Sequence, residues 1–369
     1  MSQSPAAAMR PDTPDGRWDT KTILIVLLCF MLNMVDGMDL LVMSFIAPAL
    51  QKEWAIGPAQ FSLVFSSGLA GMALGGVGLS PLADRFGRRR LVVVAIGLMA
   101  LAMLVSSQAQ SVVQLAAIRF VVGIGIGTVL ACIAAVAARV APQRHRNFAV
   151  GVLQAGYPIG AMITGFLTAW ALPRFGWRPV LVATAGFSAL FVPLILMILP
   201  AQVDAGHRAE KVPLKSIVDG SRLRSSVLLW TGTICGFMAL YFITSWITKL
   251  AIEAGLPETQ AIIASAVYNF GAFSGTLAMS VAGTRVDIRK IGSTLLFITI
   301  GVFLLFGGVA MPLGGVLVTA FVMGVTLQGG FNALYPIAAR IYPDAVRATG
   351  IGWAMGIGRI GAFAGPLLG

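Results

Sequence analysis

Two aspartates lie three residues apart inside the first long apolar stretch of the chain, in the segment Asn33-Met34-Val35-Asp36-Gly37-Met38-Asp39. On a helix this spacing places Asp36 and Asp39 on one face, about 5–6 Å apart at Cβ. Two carboxylates that close, away from bulk water, cannot both ionise cheaply, so one is expected to hold a proton near neutral pH. The pair is therefore a candidate for carrying protons. The residues also leave open that the aspartates pair with arginine or cap a helix break at Gly37.

Two arginines lie in apolar stretches as well, Arg119 and Arg359. An ionisable residue inside a membrane is costly and is a functional candidate by default, and a guanidinium is a fork suited to a carboxylate. Counted from the predicted helix ends, Arg119, Asp39 and Asp36 lie about 11, 14 and 18 Å from the outer surface. We therefore expect these three residues to share one cavity. Arg359 is expected near mid-membrane, and a structural ion pair or a carbonyl contact is the alternative for each arginine.

Uncharged side chains in the spans complete the candidate substrate site. An aromatic carboxylate needs a cation and flat apolar walls. Buried amides are expensive unless they are paired, which makes them the stronger candidates, while helix packing is the alternative for each aromatic. The predicted substrate-binding residues, besides the two arginines, are Asn269, Gln328, Asn332, Tyr335 and Tyr157.

The composition tells which elements must position these residues. Of 369 residues, 57% are hydrophobic and 11% charged, with a mean hydropathy of +0.88. A soluble domain carries about 25% charged residues, so a water-soluble protein is excluded. We predict an all-α polytopic membrane protein, because each apolar segment is long enough to cross a core of about 30 Å. The predicted spans are 22–48, 60–81, 91–107, 112–137, 148–170, 179–199, 226–248, 260–282, 291–311, 314–338 and 347–369.

The net charge of +12 is explained by where the basic residues lie. With the N-terminus inside, 20 of the 26 Lys and Arg fall on cytoplasmic segments and 4 on external loops. This bias is typical of cytoplasmic loops, so we predict a cytoplasmic N-terminus and no nucleic-acid partner. We expect a multi-pass protein of the cell membrane, the inner membrane of a bacterium, whose partners are the lipid bilayer, protons and a small organic anion. It is expected to act as a monomer.

The same distribution argues against an enzyme. Both histidines, His145 and His207, lie in predicted cytoplasmic loops. A Ser-His-Asp arrangement, a histidine relay or a haem site inside the membrane is therefore excluded, and the sequence shows no cluster with metal-ligand spacing. The three cysteines lie on different predicted helices, so no disulfide framework is implied. We expect no cofactor, and a proton gradient as the driving force.

An internal repeat divides the chain into halves. At an offset of 201 residues Gly123 matches Gly324 and Gly160 matches Gly361. The offset pairs spans in the same orientation, which predicts two six-helix bundles in parallel repeat, with a twelfth span expected near 380–400, beyond the last residue. The alternative is an eleven-span protein. The predicted parts are a disordered cytoplasmic tail 1–21, an N-terminal bundle 22–199, a cytoplasmic linker 200–225 and a C-terminal bundle 226–369 with five of its six helices.

The loop after the second span reads Ser80-Pro81-Leu82-Ala83-Asp84-Arg85-Phe86-Gly87-Arg88-Arg89-Arg90. It resembles the G-x-L-A-D-R-x-G-R-R signature of the major facilitator superfamily, with Ser80 in place of the usual glycine. A weaker second copy lies at 283–290 and keeps the small residue and the acid. The resemblance implies a loop that latches the cytoplasmic side and controls the conformational switch. The residues assigned to this latch are Asp84, Arg85, Gly87, Arg88 and Asp287.

Within that superfamily the chain resembles the aromatic acid:proton symporter family. The resemblance rests on Asp36-Gly37-Met38-Asp39 in helix 1, on Tyr241-Phe242 with Ser245-Trp246 in helix 7, and on Gly358-Arg359-Ile360-Gly361 in helix 11. It implies proton-coupled uptake of benzoate-like acids. Alternatives that remain open are a metabolite or drug/proton antiporter, a carrier of non-aromatic organic acids or of neutral solutes, and a non-transporting receptor or scaffold.

Overall fold

The computed structural model describes residues 18–79, 83–142, 146–200, 223–282, 286–309, 311–342 and 347–369, and within these ranges all regular structure is helical. The eleven predicted spans correspond to eleven helices, each counted as one where a short non-helical or π-helical step interrupts it. In chain order they are α1 Thr20–Trp54; α2 Pro58–Leu74 continuing as a π-helical turn Gly75–Leu79; α3 Arg88–Ser106; α4 Val112–Val140; α5 Arg146–Gln154 and Gly156–Phe175; α6 Trp177–Ala189 and Phe191–Ile198; α7 Leu223–Glu253; α8 Glu258–Ala282; α9 Ile288–Gly308; α10 Leu313–Asn332 and Leu334–Ile341; α11 Arg347–Ala364 with a 3-10 turn Gly365–Leu368.

Ten of these helices are long and apolar enough to cross a membrane. The remaining one, α2, has 17 α-helical residues before its π-helical turn, so its straight part is slightly shorter. The chain is thus a multi-pass, all-helical membrane protein.

The first helix shows how local sequence defines a span. The carboxylate of Asp19 accepts a hydrogen bond from the amide of Thr22 at 2.8 Å, which caps the first turn of α1 and lowers the pKa of Asp19. At the other end Ala55 takes a left-handed conformation, with φ of 52°, and the helix stops. Between them α1 is continuous through Gly37, so the sequence alternative of a helix break capped by the aspartates does not occur.

The predicted repeat is visible in which helices pack together. In the first half α2 packs on α4 and α1 packs on α5; in the second half α8 packs on α10 and α7 packs on α11. These are the same pairs shifted by six helices. The chain therefore has the fold of two bundles in parallel repeat.

Glycines at equivalent positions make these contacts possible. A Cβ on Gly123 would clash with the carbonyl oxygen of Gly68 in α2, and one on its repeat partner Gly324 would clash with the carbonyl oxygen of Tyr268 in α8. Gly160 and Gly361 are the second repeat pair. A Cβ on Gly160 would clash in the same way with a carbonyl oxygen of the facing helix α1, and one on Gly361 with a carbonyl oxygen of α7. The sequence matches at an offset of 201 thus mark sites where backbones touch, as expected for small residues at helix interfaces in membranes.

The halves meet at the end of the molecule where α1 finishes and α2 begins, here called the α1–α2 end. Ser44 donates a hydrogen bond to the carbonyl of Ser245 at 2.8 Å, and Ser66 donates to the carbonyl of Phe363 at 3.2 Å. The rings of Phe65 and Trp246 form an edge-to-face pair with centroids 5.3 Å apart. The halves are therefore closed against each other at this end. The other end, where α4 finishes and α5 begins, is called the α4–α5 end.

Two predicted parts fall largely outside the described residues. Residues 1–17 of the predicted tail and 201–222 of the predicted linker are not described, whereas α1 already begins at Thr20 and α7 at Leu223.

In the first half α3 packs against α6. Its equivalent α9 is less buried than α3, 17% against 44% over the most apolar part of each helix, and packs mainly on α10 within the described residues.

Candidate functional site

A cavity of about 640 Å³ lies between the two halves. The first half contributes α1, α2, α4 and α5 to its wall, and the second half contributes α7, α8, α10 and α11. Towards the α4–α5 end the wall includes Gly151, Gln154, Thr276 and Pro336, which lie near the ends of their helices. Six of the predicted functional residues line the cavity: Asp36, Tyr157, Gln328, Asn332, Tyr335 and Arg359.

Asp36 is the acidic residue on this wall. It is 3% exposed, and its Oδ1 has no hydrogen-bond partner among the described residues. The charged groups near enough to interact with it are Asp39, Arg359 and Arg119. Asp36 thus lies buried beside the cavity without an ion-pair partner in the part of the chain that the structure describes.

Asp39 lies behind Asp36, away from the cavity wall. It is fully buried, and neither of its carboxylate oxygens has a hydrogen-bond partner in the described ranges. Arg119 approaches the backbone instead: its Nη2 donates to the carbonyl oxygen of Asp39 at 2.9 Å, and its Nη1 contacts Met103 Sδ at 3.1 Å. For Arg119, the carbonyl contact considered from the sequence is the one that the structure shows.

The expectation from depth, that one cavity is shared by Asp36, Asp39 and Arg119, is not met in this structure. Arg119 borders a separate void of about 10 Å³, about the size that holds one water molecule. Leu69 and Tyr241 line both spaces and so form the partition between them. Asp39 lines neither space and is fully buried.

Arg359 extends across the boundary between the halves. From α11 its Nη1 reaches the carbonyl oxygen of Met72 in α2 at 3.4 Å, just before the π-helical turn. Gly76 leaves room for it, since a Cβ there would lie 3.3 Å from Nη1. Among the described residues, Arg359 is the arginine on the wall of the large cavity.

The predicted amides divide into two groups. Asn332 Nδ2 donates to Thr276 Oγ1 at 2.9 Å, and Gln328 Nε2 lies 3.4 Å from Asn332 Oδ1, so these side chains form a polar chain on the cavity wall. Asn269 is instead buried away from the cavity, where its Nδ2 donates to the carbonyl of Ser265 on the same helix at 2.9 Å. In this conformation the side chain of Asn269 hydrogen-bonds to the backbone of its own helix and does not line the cavity.

An aromatic surface covers the second-half side of the cavity. Phe237 and Phe331 meet edge-to-face with centroids 4.6 Å apart, and Tyr335 lies 6.2 Å from Phe331 in a similar arrangement. Tyr241 stacks on Phe237 at 6.1 Å. Tyr157 faces this surface from the first half, and its buried hydroxyl has no hydrogen-bond partner in the described part of the chain.

The cavity wall also includes residues that sequence reasoning did not select. Asn33, one turn before Asp36, binds the carbonyl of Leu153 at 2.7 Å, and its spacing from the aspartates was an available signal. Phe237 lies four residues before Tyr241, a residue of the helix 7 segment that carries the family resemblance, and this spacing of one helix face was an available signal for Phe237. Thr276 carries no such signal, because threonines are common on helices and its partner is 56 positions away in the sequence.

The predicted latch is only partly described. Residues 80–82 and the side chains of Asp84 and Arg85 lie outside the described set, and residues 83–86 form one short helical turn. Gly87 precedes α3 with φ of 85°, a conformation that glycine adopts without strain. Arg88 is the first residue of α3, and Arg89 donates a hydrogen bond to the carbonyl of Leu196 in α6.

The second copy of the latch motif is better defined. The carboxylate of Asp287 accepts a hydrogen bond from the amide of Arg289 at 3.1 Å, which caps α9. Asp287 also pairs with Arg340 near the end of α10 at 3.7 Å. The acid thus links the start of one helix to the end of another at the α4–α5 end.

Comparison with known proteins agrees with this architecture. The chain is 32% identical to the 4-hydroxybenzoate transporter PcaK of Pseudomonas aeruginosa over 388 aligned residues, covering 94% of this chain and 85% of that protein. It is 30% identical to the 3-(3-hydroxy-phenyl)propionate transporter of Escherichia coli K12, covering 98% and 89%. Both alignments span more than nine tenths of this chain.

Solved structures show the same fold at lower identity. A bacterial homologue of the human lysosomal transporter Spinster superposes with a TM-score of 0.77 at 18% identity, covering 95% of this chain and 82% of that one. A D-xylose-proton symporter superposes with a TM-score of 0.72 at 15% identity, covering 94% and 90%. The sequence profile of the Major Facilitator Superfamily matches residues 25–366. The chain therefore belongs to the major facilitator superfamily and is a membrane transporter rather than an enzyme.

Proposed function

We propose that this protein is a proton-coupled symporter that takes up an organic anion, an aromatic carboxylate such as a benzoate or hydroxybenzoate. The observation that carries the proposal is the position of Arg359 on the wall of a cavity that aromatic rings and amides also line. The relatives named for transport of 4-hydroxybenzoate and of a hydroxyphenylpropionate support the same substrate class.

The cavity suits such a ligand in size and chemistry. Its 640 Å³ lies within the range of about 300–1,000 Å³ that is usual for small-molecule sites. Arg359 supplies a planar fork that a carboxylate accepts in two parallel hydrogen bonds. The rings of Phe237, Phe331 and Tyr335 supply the flat apolar surface against which an aromatic ring packs edge-on or offset.

The two aspartates are assigned to proton coupling. A buried carboxylate without a hydrogen-bond donor is costly when charged, and protonation removes that charge. Asp36 borders the cavity and can exchange a proton with it, whereas Asp39 lies behind it and adds a second buried acid. Protonation of this pair lets the halves close over the substrate without burying an uncompensated negative charge. No cofactor is required, since the proton gradient supplies the energy.

The conformation described here corresponds to a cavity open to the cytoplasm. This assignment uses the basic loops, which lie at the α4–α5 end, together with a cytoplasmic N-terminus in the inner membrane of a bacterium. The opposite end is closed by contacts such as Ser44 with Ser245. Opening to the outside requires these contacts to break while the latch residues Asp84, Arg85, Gly87, Arg88 and Asp287 close the cytoplasmic end.

Purified protein in liposomes tests the proposal. With the outside made acidic, radiolabelled 4-hydroxybenzoate should accumulate above its equilibrium level, and a protonophore should abolish the accumulation. Coupling to a proton also makes net charge movement small, which matters because one charge crossing 100 mV is worth about 2.3 kcal/mol. If an acid exterior drives efflux, an antiporter is indicated. If aliphatic acids or neutral solutes accumulate in place of aromatic acids, the substrate assignment is wrong.

A further inference from the structure

In the polar chain on the cavity wall, which side chain donates and which accepts is determined by Thr276 on α8. Thr276 Oγ1 donates its proton to the carbonyl of Ala272, one turn earlier in the same helix, at 2.9 Å. A hydroxyl has one O–H donor, so towards α10 Thr276 can act only as an acceptor. The side chain of Asn332 must therefore present its Nδ2 to Thr276, at the observed 2.9 Å.

This orientation is passed on to Gln328. With Nδ2 of Asn332 turned to Thr276, its Oδ1 faces Gln328, which must present Nε2, observed at 3.4 Å. The assignment of oxygen and nitrogen in both amides thus follows from the network itself. The remaining oxygen, Gln328 Oε1, has no hydrogen-bond partner among the described residues, and Gln328 lines the cavity. The polar chain of Thr276, Asn332 and Gln328 therefore ends in a hydrogen-bond acceptor that no described residue occupies.

A free acceptor does not bind a carboxylate, which is itself an acceptor; it binds a donor such as a hydroxyl. Its surroundings are aromatic, since Phe331 and Tyr335 follow Gln328 at spacings of three and seven residues on the same helix. Counted from the α4–α5 ends of their helices, Gln328 and Arg359 lie at similar depths of about 20 and 18 Å. A ligand whose carboxylate binds Arg359 would place its ring on this surface and the far edge of the ring towards Gln328.

We propose that Gln328 selects aromatic acids that carry a ring hydroxyl, accepting the phenolic O–H at Oε1, and that Asn332 and Thr276 are positioning residues that hold this oxygen free. The inference rests on the proposed function, because it assigns the substrate class within the same cavity. A phenol can donate to Oε1 and at the same time accept from a remaining amide N–H, whereas a methoxy group can only accept. The site therefore distinguishes a hydroxyl from an ether of similar position.

Uptake of labelled benzoate, 3- and 4-hydroxybenzoate and 4-methoxybenzoate tests the inference on the full chain. The unmodified protein should have the lowest KM for a hydroxylated acid. In Gln328→Met, which keeps the length of the side chain but has no acceptor, the KM of that acid should rise about tenfold, the value of one hydrogen bond, while the KM for benzoate stays within about twofold. Gln154→Met removes another amide from the cavity wall and serves as the matched control, with the preference for the hydroxylated acid retained.

Thr276 gives a second readout that a merely structural role would not produce. In Thr276→Val the amides lose the group that orients them, so the preference for hydroxylated acids should fall while benzoate uptake continues. Thr276→Ser keeps the hydroxyl and should restore the preference.

Three outcomes contradict the inference. They are an equal KM for benzoate and both hydroxybenzoates in the unmodified protein, an equal loss of both substrates in Gln328→Met, and an unchanged preference in that variant. In each case uptake of benzoate by the unmodified protein shows that the proposed function still holds. If the unmodified protein takes up none of the four acids, the proposed function itself fails.

Discussion

Arg359 is the residue to which the proposed function assigns recognition of the anion. The described part of the chain places it alone among arginines on the wall of the large cavity, whereas Arg119 is 2% exposed and turned to a carbonyl oxygen. Two residues that seemed equivalent in the sequence therefore have different surroundings. One prediction follows for binding of the substrate at Arg359, and another for coupling to the proton at Asp36.

We expect Arg359→Gln to lose binding of 4-hydroxybenzoate, with the dissociation constant raised at least about tenfold, because a charge-assisted pair contributes about 1.5–3 kcal/mol. The measurement is the ligand-induced shift in melting temperature of the detergent-solubilised protein. Arg178→Gln removes an exposed arginine at the α1–α2 end, which pairs with Glu53 at 2.9 Å, and should keep the shift. Unchanged binding in Arg359→Gln would assign the carboxylate to another residue.

Asp36 is expected to act on the proton rather than on the substrate. Asp36→Asn resembles the protonated acid, so substrate binding and exchange of internal for external substrate should persist while accumulation driven by the pH gradient is lost. Counterflow and gradient-driven uptake, measured in the same liposomes, separate the two activities. Accumulation at the level of the unmodified protein in both Asp36→Asn and Asp39→Asn would exclude the aspartates from coupling.

At the scale of the helices, backbone contact at glycine determines how the bundles assemble. Gly123 and Gly186 are both helical, but a Cβ on Gly123 would collide with the carbonyl of Gly68, whereas nothing lies within 4 Å of one on Gly186. The sequence distinguishes them only through the repeat, in which Gly123 has a partner at Gly324. The physical difference is the distance to the neighbouring helix.

Gly123→Ala should therefore destabilise the protein by about 1–3 kcal/mol, the usual cost of overpacking a close contact. Gly186→Ala should leave stability unchanged or raise it by up to about 1 kcal/mol, because alanine is the better helix former. Thermal unfolding in detergent measures both. An equal effect of the two substitutions would show that close approach of α2 and α4 is not required.

At the scale of the whole molecule, the proposed uptake requires the closed α1–α2 end to open. Gly165 and Ala266 face each other there across the two halves, and a Cβ on Gly165 would lie 2.9 Å from that of Ala266. A disulfide needs about 3.5–4.5 Å between Cβ atoms, so a small adjustment would let two cysteines bond at this position.

We expect the double variant Gly165→Cys, Ala266→Cys, in a background with the exposed Cys235 replaced by serine, to lose uptake on oxidation and to regain it on reduction. Binding of 4-hydroxybenzoate should persist in the oxidised protein, because the cavity stays open at the α4–α5 end. The two single-cysteine variants control for the substitutions themselves. Full uptake by the cross-linked protein would contradict movement of the halves at this end.

Much of the architecture follows from the sequence because it depends on local properties. The number of spans and their approximate limits follow from apolar length, and the equivalence of α4 with α10 and of α5 with α11 follows from glycines repeated at an offset of 201. The ionisable residues inside the spans follow from composition alone, since few charges are present. Each is a property of one segment or of two equivalent segments.

The tertiary structure alone decided which of these residues meet. Asp36 and Asp39 are predicted on one helix face, yet only Asp36 borders the cavity, and Asp39 is fully buried among the packed helices. Arg359 faces the cavity and Arg119 does not, and Thr276 orients two amides on another helix. Depth along a helix can be counted from the sequence, but the rotation and neighbours of each side chain depend on how all the helices pack.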